Sequence, residues 1–456
     1  MAWAEELRVD FGAETGGEIR SLHGVNGGVL TTGETVDLTA RWREVKIPLT
    51  RLHDCEFPRP DLVDLHAIFP DSLADPESPA SYQFVRTDDY LAAIRSTGAG
   101  VVYRLGESIE HSRRRYYVHP PMDYAKWAGA CVGIIRHYNE GWAEGFRYGI
   151  RYWEIWNEPE NRPAMWSGSD ADYYRLYATA ARAIKARFPD LKVGGPSVGA
   201  TGEVVGDRLE ATPFLEGFLR MCREEKVSLD FFSWHTYTDD PSLYARKARA
   251  IRAWLDEKGF RNTEIHLNEW NYLPGNDWGP MLSVGEGDRR RQWYEEQGSA
   301  AGAAFVAYVL LDLQESPVTL SNFYSGDTNQ FGLFDRYGAP KKTFYAFKAF
   351  SGLLETPMRV RTSASQPGVS VVGAGLNREH DAGTVLVSRY RGCDPRFDLV
   401  LERLPWQGET LCRILVLDGA RTLECVEEKR FPAGTPVSLP CELPPPGVLF
   451  VRLSRI

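Results

Sequence analysis

Several features are scarce or missing in this chain. Its seven cysteines (Cys55, Cys131, Cys222, Cys393, Cys412, Cys425 and Cys441) are scattered, odd in number and never paired at CxxC spacing. That argues against a disulfide framework or a zinc ribbon, and predicts reduced, mostly buried thiols. No apolar run reaches the roughly 18 to 20 residues that cross a bilayer, so no membrane partner is expected. The start, Met1-Ala2-Trp3-Ala4-Glu5-Glu6-Leu7-Arg8, has no basic stretch followed by an apolar one. No secretory signal is visible there, and a cytoplasmic location is the expectation. Positive charge is short as well: 53 Lys and Arg stand against 62 Asp and Glu, a formal net charge of −9. Nucleic acid and anionic membranes need a basic face, so nucleic-acid partners are not expected. No His, Asp or Glu spacing of a known metal type occurs, and neither a metal nor another cofactor is expected. There is no internal repeat and no low-complexity tract.

What is present is the balance of a globular protein. In 456 residues, 43% are hydrophobic and 25% charged, with 13 Trp and 21 Tyr. The length suits a large barrel plus a smaller module, and flat rings with polar tips suit sugar faces as well as ordinary cores. Between about 16 and 352, short apolar runs alternate with helical patterns. Strands are predicted at 18–26, 45–53, 100–105, 152–157, 192–196, 231–235, 264–268 and 319–324, and helices at 123–139, 171–187, 212–226, 241–258 and 290–314. Eight βα units predict a (β/α)₈ barrel of the α/β class. In one helix Tyr173, Leu176, Tyr177, Ala180 and Ile184 recur at three- and four-residue spacing behind a Ser169 or Asp170 cap. The proline-rich stretch 57–84 reads as a long loop that either rims the pocket or is a plain surface insertion. After about 353 only short strands separated by Gly, Pro and Asp turns remain, so 353–456 is predicted as an antiparallel β-sandwich. The segment 1–15 alternates too and is expected to add a strand to it.

The strongest motif is Tyr152-Trp153-Glu154-Ile155-Trp156-Asn157-Glu158-Pro159. Proline cannot donate to a ladder, so the strand stops there and leaves Glu158 at its C-terminal end, the catalytic face of a barrel. Tryptophans beside it are expected to lower the local dielectric, raise the pKa of Glu158 and keep it protonated as a general acid. Asn157 has the donors to hold a sugar hydroxyl. Glu154 shares the parity of Glu158 and is not excluded by alternation, although it lies deeper along the strand. A second strand delivers Glu269 in Asn268-Glu269-Trp270, again at a C-terminal end with an aromatic beside it. Two glutamates facing one pocket are what double displacement needs: one attacks the anomeric carbon, the other protonates the leaving group and then activates water. His235 and Tyr237 share one strand face, where a tyrosine hydroxyl donating to Glu269 would orient the nucleophile, although a His-x-Tyr can equally be structural. Arg51 would keep that nucleophile ionised or form a structural pair with Asp54, and His53 would bind a sugar hydroxyl.

These residues resemble clan A of the glycoside hydrolases, and family 39 in particular. The resemblance runs from about 20 to 350. It includes His23-Gly24-Val25-Asn26-Gly27, the run 121–127, Arg136-His137-Tyr138, the Asn157-Glu158-Pro159 strand, Val193-Gly194-Gly195-Pro196, Ser233–Tyr237 and Phe331-Gly332-Leu333-Phe334. It implies a retaining exo-acting hydrolase of β-xylosidase or α-L-iduronidase type, with Glu158 as acid/base and Glu269 as nucleophile. Asn157, His235 and Tyr237 would then surround the reacting sugar, with Trp270 and Tyr324 also binding substrate. Family β-xylosidases tend to carry a tryptophan and an acidic pair after strand eight; here the region reads Asn322 to Gln330, and Asp327 or Asn329 would take the sugar-binding role. The third strand end, Arg104 to Ser108, followed by Arg113-Arg114-Arg115, fits either arginine forks for a uronate or a solvated face. The expected partner is a carbohydrate, with a homo-oligomer left open. Competing readings are a glucosidase, galactosidase or arabinosidase of the same family, an endo-acting hydrolase, or a non-catalytic sugar-binding barrel.

Overall fold

Eight short strands, buried on both faces as parallel strands between a packed interior and a helical layer must be, close into a barrel. They are Gly24–Asn26, Leu49–Leu52, Gly100–Leu105, Tyr152–Ile155, Lys192–Val198, Phe231–Thr238, Glu264–Tyr272 and Leu320–Phe323. Each is parallel to its neighbours, and the first pairs with the last. The computed structural model describes residues 5–31, 36–55, 57, 59–110, 112–282, 286–363 and 366–456. The first four residues of the segment 1–15 and position 58 of the loop 57–84 lie outside the described residues. Among the described residues no helix is long and apolar enough to cross a membrane. The seven cysteines are unpaired, and five of them are buried.

The helices form where capping and periodicity place them. Asp170–Arg187 opens on a capping box between Ser169 and Asp172, and buries Tyr173, Leu176, Tyr177, Ala180 and Ile184 against the barrel. Asp123 caps Tyr124–Asn139 and Thr212 caps Pro213–Glu224. The helix predicted over 290–314 is instead two, Gly287–Gln297 and Ala300–Asp312. Ser299 accepts from the Ala301 N–H and starts the second, which turns so tightly past the first that a Cβ on Gly302 would stand 1.8 Å from the Gln297 carbonyl oxygen. The loop 57–84 carries its own short helix, Leu65–Ile68. The first predicted strand shrinks to Gly24–Asn26, because Glu18 ends a different strand.

That strand, Glu5–Glu18, belongs to a nine-stranded sheet otherwise built from residues after 357. All its pairings are antiparallel except one: Glu5–Glu18 runs parallel to Arg396–Glu402. The sheet curls, sandwich-like, around its own core of residues such as Phe11, Val385, Leu399 and Val451. Its other face lies on the barrel: Phe450 and Leu386 join the main core, and Ser388 Oγ donates to the Ala304 carbonyl. Helix Ala300–Asp312 is therefore covered on every side, which is why its sequence is apolar all round.

Candidate active site

The C-terminal ends of the strands surround a cavity of about 590 Å³. Strand four ends at Ile155, and the chain then passes through left-handed conformations at Trp156 (φ 73°) and Glu158 (φ 44°). That turn carries the Glu158 carboxylate into the cavity, where Oε1 meets His235 Nδ1 at 2.7 Å and Oε2 accepts from Asn161 Nδ2 at 3.0 Å. Strand seven shifts register between Leu267 and Glu269 against strand six. The bulge lets two consecutive side chains, Asn268 and Glu269, both reach the barrel interior. Glu269 Oε1 accepts from Tyr237 Oη at 2.6 Å, and Oε2 accepts from Arg51 Nη1 at 3.3 Å. One oxygen of each glutamate and a ring nitrogen of His235 lie within 4.8 Å of one another.

Arg51, fully buried under the cavity floor, ties the site together. Its Nε donates to Glu154 at 2.5 Å, Nη1 to Asn26 and Glu269, and Nη2 to Asn157 Oδ1 at 2.5 Å and Ser197 Oγ at 2.8 Å. It makes no pair with Asp54. Glu154 is fully buried and also accepts from Asn268 at 2.6 Å, so it is a counter-ion beneath the site and not a group that faces it. The carbonyl of Asn157 is taken by Arg51 and Ser197, which leaves its amide nitrogen for the cavity it lines.

The electrostatics correct one expectation. Burial pushes the Glu158 carboxyl up, but the hydrogen bond and charge of His235, helped by Asn161 and Arg51, bring it below its ordinary value. Trp153 and Trp156 turn away from the cavity, their indole N–H groups donating to the backbone of Ile150 and Met165. Burial lowers the His235 pKa, yet the charges of Glu269 and Glu158 more than offset this and raise it. Burial, with the Arg51 charge next, holds His53 well below the ordinary imidazole range. Two further carboxyls in the cavity wall, Asp54 and Glu160, are pushed up to about 7, each by burial first and then by the neighbouring glutamate, Glu269 and Glu158 respectively.

His53, Asn157, His235, Tyr237 and Tyr324 line the same cavity as the two glutamates. Both ring nitrogens of His235 are engaged, one with Glu158 and the other with Ser197 at 2.8 Å. Trp270 does not reach the cavity. Strand alternation turns it outward, where it is fully buried, donates to Ser321 Oγ at 2.7 Å and packs edge-on against Tyr244 and Phe323. Asp327 is also fully buried and bends the loop after strand eight, accepting from Ser325 Oγ and the Asn329 N–H; Asn329 lines the adjoining space. Sequence reasoning missed Ser197, Asp54, Glu160 and Trp278. Ser197 follows the Gly194-Gly195-Pro196 run and is a non-glycine residue at φ 58°, visible only once the backbone is known. Trp278 stands edge-on to Tyr237, with ring centroids 5.0 Å apart.

A second cavity of about 820 Å³ adjoins the first, sharing Asp54, Ile109, Tyr324 and Phe331 with it. Its lining includes carboxylates, Asp61, Asp64, Glu107 and Glu110. The arginines weighed for a uronate do not serve one. Arg104 is buried and paired with Asp64 at 2.6 Å, while Arg113 and Arg114 are exposed and Arg115 donates to the backbone oxygens of Glu110 and Ser112. Two clusters, Asp64–His66–Glu107 and Glu158–His235–Glu269, are close enough to hold a cation. In each, however, both imidazole nitrogens already have partners: Asp61 and Glu107 for His66, Ser197 and Glu158 for His235.

The sequence model for glycosyl hydrolases family 39 matches residues 36–281, more than half of the chain, and both glutamates fall within it. A β-xylosidase of Geobacillus stearothermophilus is 28% identical over 277 residues, covering 52% of this chain and 48% of that protein. A β-xylosidase of Caldicellulosiruptor saccharolyticus is 25% identical over 290 residues, covering 57% of this chain and 53% of that protein. The chain thus matches about half the length of these curated relatives. A solved glucosidase structure from Croceicoccus marinus superposes over 100% of this chain and 99% of its own, with a TM-score of 0.81 and 25% identity.

Proposed function

Because the chain belongs to family 39 of the glycosyl hydrolases, we propose that it is a retaining exo-glycosidase acting on β-xyloside-like substrates through Glu269 and Glu158. The observation that carries this reading is the close approach of the two carboxylates, with oxygens within 4.8 Å. A retaining pair stands about 5–5.5 Å apart so that one carboxylate attacks directly, whereas an inverting pair is spread to about 6.5–9.5 Å to admit a water. Glu269, hydrogen-bonded by Arg51 and oriented by Tyr237, attacks the anomeric carbon. Glu158 gives its proton to the glycosidic oxygen as that bond breaks, leaving a glycosyl ester on Glu269 and a free alcohol. Water then attacks the anomeric carbon of this ester, Glu158 takes the water proton, and Glu269 leaves that carbon as carboxylate. A neutral sugar filling the cavity displaces water from Glu158, strengthens the burial term and favours the protonated form the first step requires.

A second reading, a hexoside such as a glucoside as substrate, is favoured by one observation. The adjoining 820 Å³ cavity extends the site beyond Asp54 and Tyr324 and offers carboxylate acceptors for further hydroxyls. Its acidic lining disfavours a uronate. The test is a panel of aryl xyloside, glucoside, galactoside, arabinoside and iduronide, with the anomer formed first read by ¹H NMR. Retention with the highest kcat/KM on the β-xyloside is expected, and a lead for the glucoside selects the second reading. An inverted first product, or no hydrolysis of any member beside measurable sugar binding, sinks both.

A further inference from the structure

Two residues beyond the acid/base stands a carboxyl that the mechanism above does not use. Glu160 Oε1 accepts from the Ala200 N–H at 3.0 Å, but its other oxygen, Oε2, is buried and has no hydrogen-bond partner among the described residues. Glu158 and Glu160 both bring Oε1 to Gly199, where a Cβ would stand 2.8 Å from the first and 3.6 Å from the second, and the Glu158 charge acts on Glu160. Among the described residues no cation pairs with Glu160. Among its neighbours, His235 on strand six is committed to Glu158 and Ser197, Arg51 on strand two lies below the floor, and Arg162 on the same loop pairs with Asp170. Tyr173, from the helix behind, donates to the Ile155 carbonyl, and Glu269 faces His235 from strand seven. An ionised carboxylate so buried and unpaired is costly, and more so beside a second negative charge.

We infer that Glu160 is a positioning residue for the acid/base, forming with Glu158 a carboxyl pair that shares one proton, so that loss of this last proton sets the alkaline limit of catalysis. The inference rests on the reading of Glu158 as acid/base. In a like-charge pair the two ionisations separate, and the upper one belongs to the pair and not to either residue. Burial and the Glu158 charge, which push Glu160 up to about 7, act in the same sense. His235 alone would leave Glu158 ionised too early for a general acid, and the negative charge that Glu160 gains with rising pH opposes this. Glu160 thereby holds the pair singly protonated to higher pH.

The test compares wild type with Glu160→Gln, which keeps the acceptor for Ala200, and with Glu160→Ala. The alkaline limb of kcat/KM, which reports the free enzyme, should move to lower pH by roughly one unit in both variants. A lower rate with an unmoved limb in both variants means that Glu160 only holds its loop, and overturns the inference. A readout independent of turnover is the ¹³C titration of the Glu158 carboxyl, assigned by its loss in Glu158→Gln. Its midpoint should fall in Glu160→Gln, and an unmoved midpoint overturns the inference even if the enzyme is active. A shifted midpoint in a chain that hydrolyses no glycoside would sustain the coupling while removing the functional reading.

Discussion

Glu269 and Glu158 reach one cavity from opposite sides, and their surroundings differ in kind. Glu269 projects from within a strand and is met by Arg51, Tyr237 and, at 3.7 Å, His235. Arg51 is itself fixed by Glu154, Asn157, Asn26 and Ser197. Glu158 instead stands on a left-handed turn beyond its strand, held by one imidazole and one amide, with a second carboxyl beside it. A nucleophile must stay ionised and aimed through the first step, so donors and a fixed cation suit it. An acid/base must change protonation state twice per turnover, so its environment balances opposing pulls. On the proposed reading, the same side chain acquires two roles from the number and sign of its neighbours.

The largest effect expected from this contrast is at Glu269. Replacing it with alanine should lower kcat by roughly 10⁴-fold or more, and added azide should restore part of the rate as a glycosyl azide of inverted configuration. Near-wild-type turnover in Glu269→Ala would remove the assignment. Glu158→Ala should behave differently. Its loss should be about 10²- to 10⁴-fold on a substrate whose leaving group needs protonation, and far smaller for cleavage of a dinitrophenyl glycoside, whose leaving group departs as an anion. Equal losses on the two substrates would erase the distinction between the sides.

The contrast was only half legible in the sequence. Eight strands could be read because each is a short apolar run that stops at polar residues, and both glutamates because each ends such a run. The helix break at Gly298 and Ser299 escaped although the sequence marks it, since a polar helix that buries only Trp293 and Gln297 gives way there to one apolar all round. Glu158 was assigned an apolar environment from its sequence neighbours, but Trp153 and Trp156 turn to the other side of the strand and the turn. What sets its proton affinity, burial together with His235, Asn161 and Arg51, depends on a loop conformation that residue order does not encode. Arg51 was seen as a partner of Glu269, yet its larger part, joining four strands through Ser197, Asn157, Glu154 and Asn26, needs register shifts that place Ser197 and Asn268 inside the barrel.

Tyr237→Phe sharpens the nucleophile side. A hydrogen bond to a charged group is worth about 1.5–3 kcal/mol, so kcat/KM should fall about 10- to 150-fold. Arg51 and His235 remain to keep Glu269 near its place. Loss confined to KM, with kcat intact, would mean that the hydroxyl binds the ground-state sugar and does not orient the carboxylate.

The smallest effect on activity should come from the residue next to the nucleophile. Trp270 has the position in sequence of a sugar platform, but alternation along the strand sends adjacent side chains to opposite faces. Its ring is enclosed by Tyr244 and Phe323, and its N–H donates to Ser321. Trp270→Phe should therefore lower stability by about 1–2 kcal/mol, from lost packing and one hydrogen bond, and leave kcat/KM unchanged. Urea unfolding and aryl-glycoside kinetics on the same preparation separate the two. If activity falls while the unfolding midpoint holds, Trp270 faces the substrate and the outward turn of the strand is wrong. If stability falls alone, the bulge that brings Asn268 and Glu269 inside together ends at Trp270, and the nucleophile owes its aim to that one irregularity.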